Sequence, residues 1–271
     1  MDSTLVEPPG IDLARVMVIS PHFDDAVMSC GHLLAAAGTA LVVTVFGGSP
    51  SSTPDTVTPW DASCGFQQGD DVVACRRQEE AQALAALGVH GDALELLDRQ
   101  YRGGARYSIN EVAGHLGSKL DEWQPSAVVV PMALKNRDHL LARSAALQHR
   151  RSTDPRTWVC YAEFPYVWRE PDAAAKEVSQ LRRKGYRLTP VLGIPTSPER
   201  KAASLGQYTS QLQGLGLDVA PVAHAPEQLW LLTARPPLRV RALRRAAWKF
   251  GWERGKVEPP RPPSHPTNPR S

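Results

Sequence analysis

Short apolar runs rich in β-branched residues recur at 16–20, 41–46, 93–97, 127–131 and 158–161, with helical patterning at 26–37, 72–87, 109–123 and 139–149. Strands that alternate with helices of about 10–15 residues are joined by right-handed crossovers, so the sheet is mostly parallel and carries helices on its faces. The predicted fold is α/β and Rossmann-like, with functional groups gathered at the carboxyl ends of the strands. Beyond residue 165 the pattern weakens. It still allows strands at 186–192 and 229–233 with a helix over 198–213 between them.

The chain of 271 residues, 42% of them apolar, is long enough to bury a full core. We expect one domain over 1–250 and a proline-rich, disordered tail over 251–271, where six of the last thirteen residues are prolines. A formal net charge of +3 is too small to imply a nucleic-acid partner. Much of the positive charge sits in the segment 239–249, which allows a short amphipathic helix packed on the domain with a solvated basic face. No segment is apolar enough to span a membrane, and Met1-Asp2-Ser3 has neither the basic start nor the apolar core of a signal peptide. Cys30, Cys64, Cys75 and Cys160 form no C-x-x-C pair, so they read as small buried hydrophobes of a reduced, cytoplasmic protein.

Chemistry concentrates where strands end. The first strand hands over to a helix through Ser20-Pro21-His22-Phe23-Asp24-Asp25. A helix cap accounts for one of these carboxylates, but not for two beside a histidine. Asp98, Tyr101 and Arg102 follow the third strand, Asn136-Arg137-Asp138-His139 the fourth, and Glu163 and Tyr166 the fifth. A His and an Asp from one loop with a His from another suit zinc or a similar divalent ion, and a spare carboxylate beside them suits a base. Dinucleotide, P-loop and nucleophile-elbow motifs are absent. The loop over 47–69, with Trp60, Cys64 and Phe66, is long enough to be a flap over the site.

Pro21-His22-Phe23-Asp24-Asp25 resembles the P-H-x-D-D signature of the PIG-L/LmbE-like family of zinc-dependent N-acetylglucosaminide deacetylases. The resemblance runs in order over 14–235. Arg76-Arg77-Gln78-Glu79 with Leu87-Gly88 resembles the family's R-x-x-E…L-G segment, and Asp138-His139 its second metal motif. Tyr161 to Tyr166 resembles a Y-x-D/E-x-P-Y stretch, and Trp60-Asp61 with Cys64-Gly65-Phe66 is similar to secondary-metabolite members. The resemblance implies that His22, Asp25 and His139 hold the metal and that Asp24 is the base. Arg76, Asp98 and Tyr101 would then lie near the sugar, with Glu79 fixing Arg76. The implied reaction removes an N-acyl group, typically acetyl, from an amino sugar or glycoside in small-molecule biosynthesis.

One departure bears on the mechanism. Family members commonly show H-x-D-H, whereas Asn136 stands at the first position here, followed by Asp138 and His139. An amide can donate to an oxyanion but cannot titrate near neutrality. Asp24 then returns the proton to the amine, or another group such as His224 does, or amide hydrolysis is impaired. A non-catalytic sugar-binding protein on this fold and an acyl-transfer enzyme on the same metal site are the alternatives.

Overall fold

In the computed structural model, which describes residues 10–51, 57–151 and 154–234, β1 (Arg15–Ser20), α1 (Asp25–Ala36) and β2 (Thr39–Thr44) come first. A short helix α2 (Pro59–Ser63), the long α3 (Val72–Leu87) and β3 (His90–Ala93) follow. The chain continues through α4 (Ile109–Trp123), β4 (Ala127–Pro131), α5 (Arg137–Ala146), β5 (Thr157–Tyr161), α6 (Tyr166–Arg169) and α7 (Ala173–Arg183). It then forms β6 (Tyr186–Pro190), α8 (Pro198–Leu205), α9 (Thr209–Leu215), α10 (Val219–His224) and β7 (Leu229–Ala234). The segment 238–250 and the tail lie outside the described residues.

The seven strands lie in the order β3-β2-β1-β4-β5-β7-β6. β1 to β5 pair in parallel, and β7 pairs antiparallel with both β5 and β6. The fold is the α/β, mostly parallel sheet expected. Alternate residues of the central strands feed two separate cores: Val16, Val18, Val42 and Val129 face one, Met17, Ile19, Val43 and Val128 the other. Burial on both faces is why these strands read as continuous apolar runs rather than alternating ones. The order reverses between β1 and β4, and the crevice beyond the carboxyl ends of those two strands is where such sheets bind ligands.

The short helices α2, α6 and α10 are not anticipated by the sequence, and three further differences bear on the packing. β3 was expected at 93–97, drawn there by the apolar Leu94 and Leu96, but it pairs with β2 only over His90–Ala93. Beyond that the ladder breaks into isolated bridges, Phe46 to Glu95 and Gly48 to Leu97. The helix expected over 198–213 is broken at Gly206 into α8 and α9. α7, unanticipated, buries Ala174, Val178 and Leu181 at helical spacing against the second core. Cys75 is exposed, unlike the other three cysteines.

α1 is kinked at Cys30 (φ −134°, ψ 18°). The carboxylate of Glu227 accepts from the N–H groups of His32 (2.7 Å) and Leu33 (3.1 Å) at the kink. Buried Lys201 balances that charge at 2.7 Å.

Candidate active site

All nine residues singled out from the sequence (His22, Asp24, Asp25, Arg76, Asp98, Tyr101, Asn136, Asp138 and His139) line one cavity of about 790 Å³ at the β1/β4 crevice. The turn after β1 is built by short-range bonds. Ser20 donates its hydroxyl to the carbonyl of His22 (2.7 Å) and accepts from Ala26 N (3.1 Å). Asp25 Oδ2 accepts from His22 N at 2.9 Å. Asp24, the residue preceding α1, has φ 102°, and its side chain makes no capping bond. Positive φ on a non-glycine residue is costly, and such strain persists where the surrounding structure imposes it, often at functional sites. Here Glu80 helps to impose it, accepting from Asp24 N at 3.2 Å.

His22, Asp25 and His139 converge. One donor atom from each lies within 4.8 Å of the others, and Asp25 Oδ2 is 3.3 Å from both His22 Nδ1 and His139 Nε2. Behind His139, its Nδ1 meets Glu163 Oε1 at 3.0 Å. A carboxylate only accepts, so the proton sits on Nδ1 and Nε2 is left facing the cluster, the arrangement that orients a metal-binding imidazole. On the other side, His22 Nε2 lies 3.5 Å from Asp138 Oδ2 and 3.9 Å from Asp98 Oδ2. Asp138 is clamped by the two terminal guanidinium nitrogens of Arg102 (3.0 and 2.8 Å) and by Arg99 N (3.1 Å).

The electrostatics favour a cation. Burial disfavours the charge on His139, yet Asp25 and Glu163 overcome it and raise its pKa to about 9. His22 is likewise raised, against burial, by Asp98, Asp138 and Asp25. Burial opposes the Asp25 charge, but His139 and His22 hold its carboxyl below the usual range. Burial, then the neighbouring Asp25 and Glu80, push Asp24 well above that range. Burial lifts Glu80 to about 7 despite bonds from Tyr208 (2.5 Å), Asp24 N and Thr44. Two imidazoles and a carboxylate in a field of further carboxylates fit a divalent cation, and the Glu163 bond behind His139 fits it too.

Arg76 and Tyr101 reach the cavity but are held by a shared partner. Asp61, at 1% exposure, pairs with Arg76 at 2.8 Å and accepts from Tyr101 at 2.8 Å. Asp61 sits in α2, within the expected flap, whose Trp60 also lines the cavity. Glu79 does not fix Arg76, contrary to expectation. It accepts from Ser210 N and Oγ, both at 2.7 Å, while Glu80 occupies the inner face of α3. Asn136 caps α5, its Oδ1 accepting from Asp138 N (2.9 Å), and its side chain also hydrogen-bonds that of Tyr166. His224 is exposed, its Nδ1 2.9 Å from the Ala220 carbonyl, and is not among the residues lining the cavity. The roles of Glu163, Asp61 and Glu80 were not assigned from the sequence. Glu163 stands within a recognised stretch, but its partner is 24 residues away.

A parallel sheet that brings two imidazoles and several carboxylates to its switch point defines an α/β protein with a metal-site cleft. Residues 17–149 match the PIG-L family, GlcNAc-PI de-N-acetylase, and the chain carries a PIG-L family domain. It is 29% identical over 239 residues to 2'-N-acetylparomamine deacetylase of Niallia circulans, spanning 75% of this chain and 83% of that protein. Among solved structures, the A40926 pseudoaglycone deacetylase superimposes with a TM-score of 0.67 at 28% identity, covering 83% of this chain and 99% of that one. The deacetylase–teicoplanin complex gives a TM-score of 0.66 at 28% identity, over 82% of this chain and 98% of that one.

Proposed function

We propose that the chain is a metal-dependent N-deacylase that hydrolyses an N-acyl group, acetyl first of all, from an amino sugar borne on a glycoside in small-molecule biosynthesis. The observation that carries the reading is Asp24: a strained carboxylate with no capping bond, beside a His₂Asp cluster. The relatives named for deacetylation of antibiotic intermediates support it. We assign His22, Asp25 and His139 to a divalent cation, zinc in the first instance. Such an ion supplies Lewis acidity, polarising an amide carbonyl and acidifying water.

In this reading Asp24 takes a proton from the attacking water and returns it to the nitrogen as the C–N bond breaks, giving a free amine and a carboxylic acid. Asn136 donates its amide N–H to the developing oxyanion and does not titrate. Asp138, gripped by Arg102, positions His22. Arg76, Asp98 and Tyr101 line the sugar's side of the cavity. A cavity of about 790 Å³ has room for a glycoside, and Trp60 and Tyr166 are among the residues that line it. We place the protein in the cytoplasm and the activity in a single domain over 1–250.

The test combines metal content with amine release from a panel of N-acetylglucosaminides and N-acetylated glycoside antibiotics. Wild type, Asp24→Ala and His139→Ala are compared. About one metal per chain, lost in His139→Ala, with amine release down at least ~10²-fold in both variants, is the expected result. Metal-free protein after reconstitution, or full turnover by Asp24→Ala, would overturn the reading.

A further inference from the structure

A second cleft of about 420 Å³ opens beside the main cavity, and its wall carries four guanidinium groups, those of Arg99, Arg102, Arg106 and Arg137. The two spaces are continuous in their lining, because Arg99, Arg137 and Asp138 border both. Asp138 does not neutralise the set. It is already engaged by the fork of Arg102 at 3.0 and 2.8 Å. Arg102 is fixed in turn by stacking over Phe46 and Tyr107, at 4.6 and 4.7 Å from the ring centroids.

Arg99, Arg106 and Arg137 are exposed, and none makes an ion pair with a carboxylate among the described residues. Some surface cations are paired, Arg77 with Glu95, Lys119 with Asp92 and Lys135 with Glu170, and what sets Arg99, Arg106 and Arg137 apart is that they border one cleft together. The chain between Arg102 and Arg106 turns through Gly103 and Gly104 at φ +56° and +92°, a reversal glycine permits without strain. That turn returns Arg106 to the cleft already bordered by Arg99 and Arg102. Adjacent unpaired guanidiniums repel one another, and an oxyanion between them relieves the repulsion while accepting paired N–H donors.

We infer that this cleft binds an oxyanion, carboxylate or phosphoryl, carried by the substrate on the part distal to its N-acyl group. The inference rests on the deacylase reading for the placement of the amide. It narrows the substrate class to anionic amino-sugar derivatives, and an aglycone rich in ammonium groups would be repelled by the same wall.

The experiment uses the metal-loaded full-length protein and N-acetylglucosaminides with four aglycone tails: methyl, carboxylate, phosphoryl and ammonium. At low salt the anionic tails should raise kcat/KM about tenfold over methyl, the sum expected of a few partly exposed charge-assisted contacts. The gain should shrink toward 0.5 M salt, as screening requires. The double variant Arg99→Gln/Arg106→Gln should lose the preference, read as the ratio of anionic-tail to methyl kcat/KM within the same protein. Comparing carboxylate with phosphoryl tails identifies which oxyanion is read. Equal kcat/KM for anionic and neutral tails, or a preference that survives in the double variant, overturns the inference. If no glycoside is hydrolysed, the deacylase reading fails separately. Calorimetric binding of the anionic-tailed glycosides, weakened tenfold in the double variant, would then still support the cleft, and unchanged binding would reject it.

Discussion

Glu163→Gln isolates what the charge behind His139 contributes. Glu163 is fully buried, and its Oε1 serves three donors: His139 Nδ1 at 3.0 Å, Ala133 N at 2.6 Å and Leu134 N at 3.3 Å. A glutamine can present its amide oxygen to the same three groups and removes the negative charge, while its NH₂ takes the place of the buried, unpartnered Oε2 at a cost of about 1–3 kcal/mol. Loss of a carboxylate behind a metal-binding histidine costs about 10–100-fold in metal affinity, or roughly 1.4–2.7 kcal/mol. Glu163→Ala is the contrast. It leaves three buried donors unsatisfied, at about 1–3 kcal/mol each, and should melt far below the wild type. The assay titrates metal-free protein with Zn²⁺ against a chelator of known affinity, with thermal melts to verify folding. If folded Glu163→Gln binds metal within threefold of wild type, Glu163 does not tune His139 and the argument from its placement fails.

The pKa shifts set a pH dependence for the metal-free protein. His139 stands at about 9 in the fold against an ordinary 6.5, so its protonation stabilises fully below pH 6.5 and is lost as pH rises through 9. Glu80, raised to about 7 from 4.5, loses its contribution as pH rises through 7. Melting temperature without metal should therefore fall from pH 5 to pH 9, and calorimetry at pH 7 in two buffers should show proton release on metal uptake. Asp61→Ala strands buried Arg76 and releases Tyr101. We expect about 3–5 kcal/mol lost in denaturant titrations and a raised KM. Glu227→Ala leaves Lys201 uncompensated and two N–H groups at the α1 kink without their acceptor. A loss of similar size is expected, and one below ~1 kcal/mol would show that the buried pair does not hold the kink.

Most strands and the helices α1, α3, α4 and α5 were legible because their signals are local: α3 and α4 span Val72–Leu87 and Ile109–Trp123 as the composition predicts. That the nine candidate residues share one cavity was legible for a related reason. A parallel sheet delivers every strand's carboxyl end to one edge, so residues just after β1 and β4 meet without long-range information. What failed was information a segment does not contain. β3 depends on where β2 offers hydrogen-bonding partners, and the apolar pattern of 93–97 carries no trace of that.

Helix phase gives the sharpest contrast. From Arg76, one turn along α3 reaches Glu79 or Glu80 equally well, and chain spacing cannot choose between them. Ser210 and Tyr208, about 130 residues on, make the choice by engaging Glu79 on one side and Glu80 on the other. Asp61 under Arg76, Glu163 behind His139 and the second cleft's guanidiniums share that origin. Sequence determined which chemical groups reach the edge of the sheet, because backbone periodicity is a local property. Only tertiary structure decided which group is charged, braced or left unpaired there, because burial and partners come from segments distant in the chain.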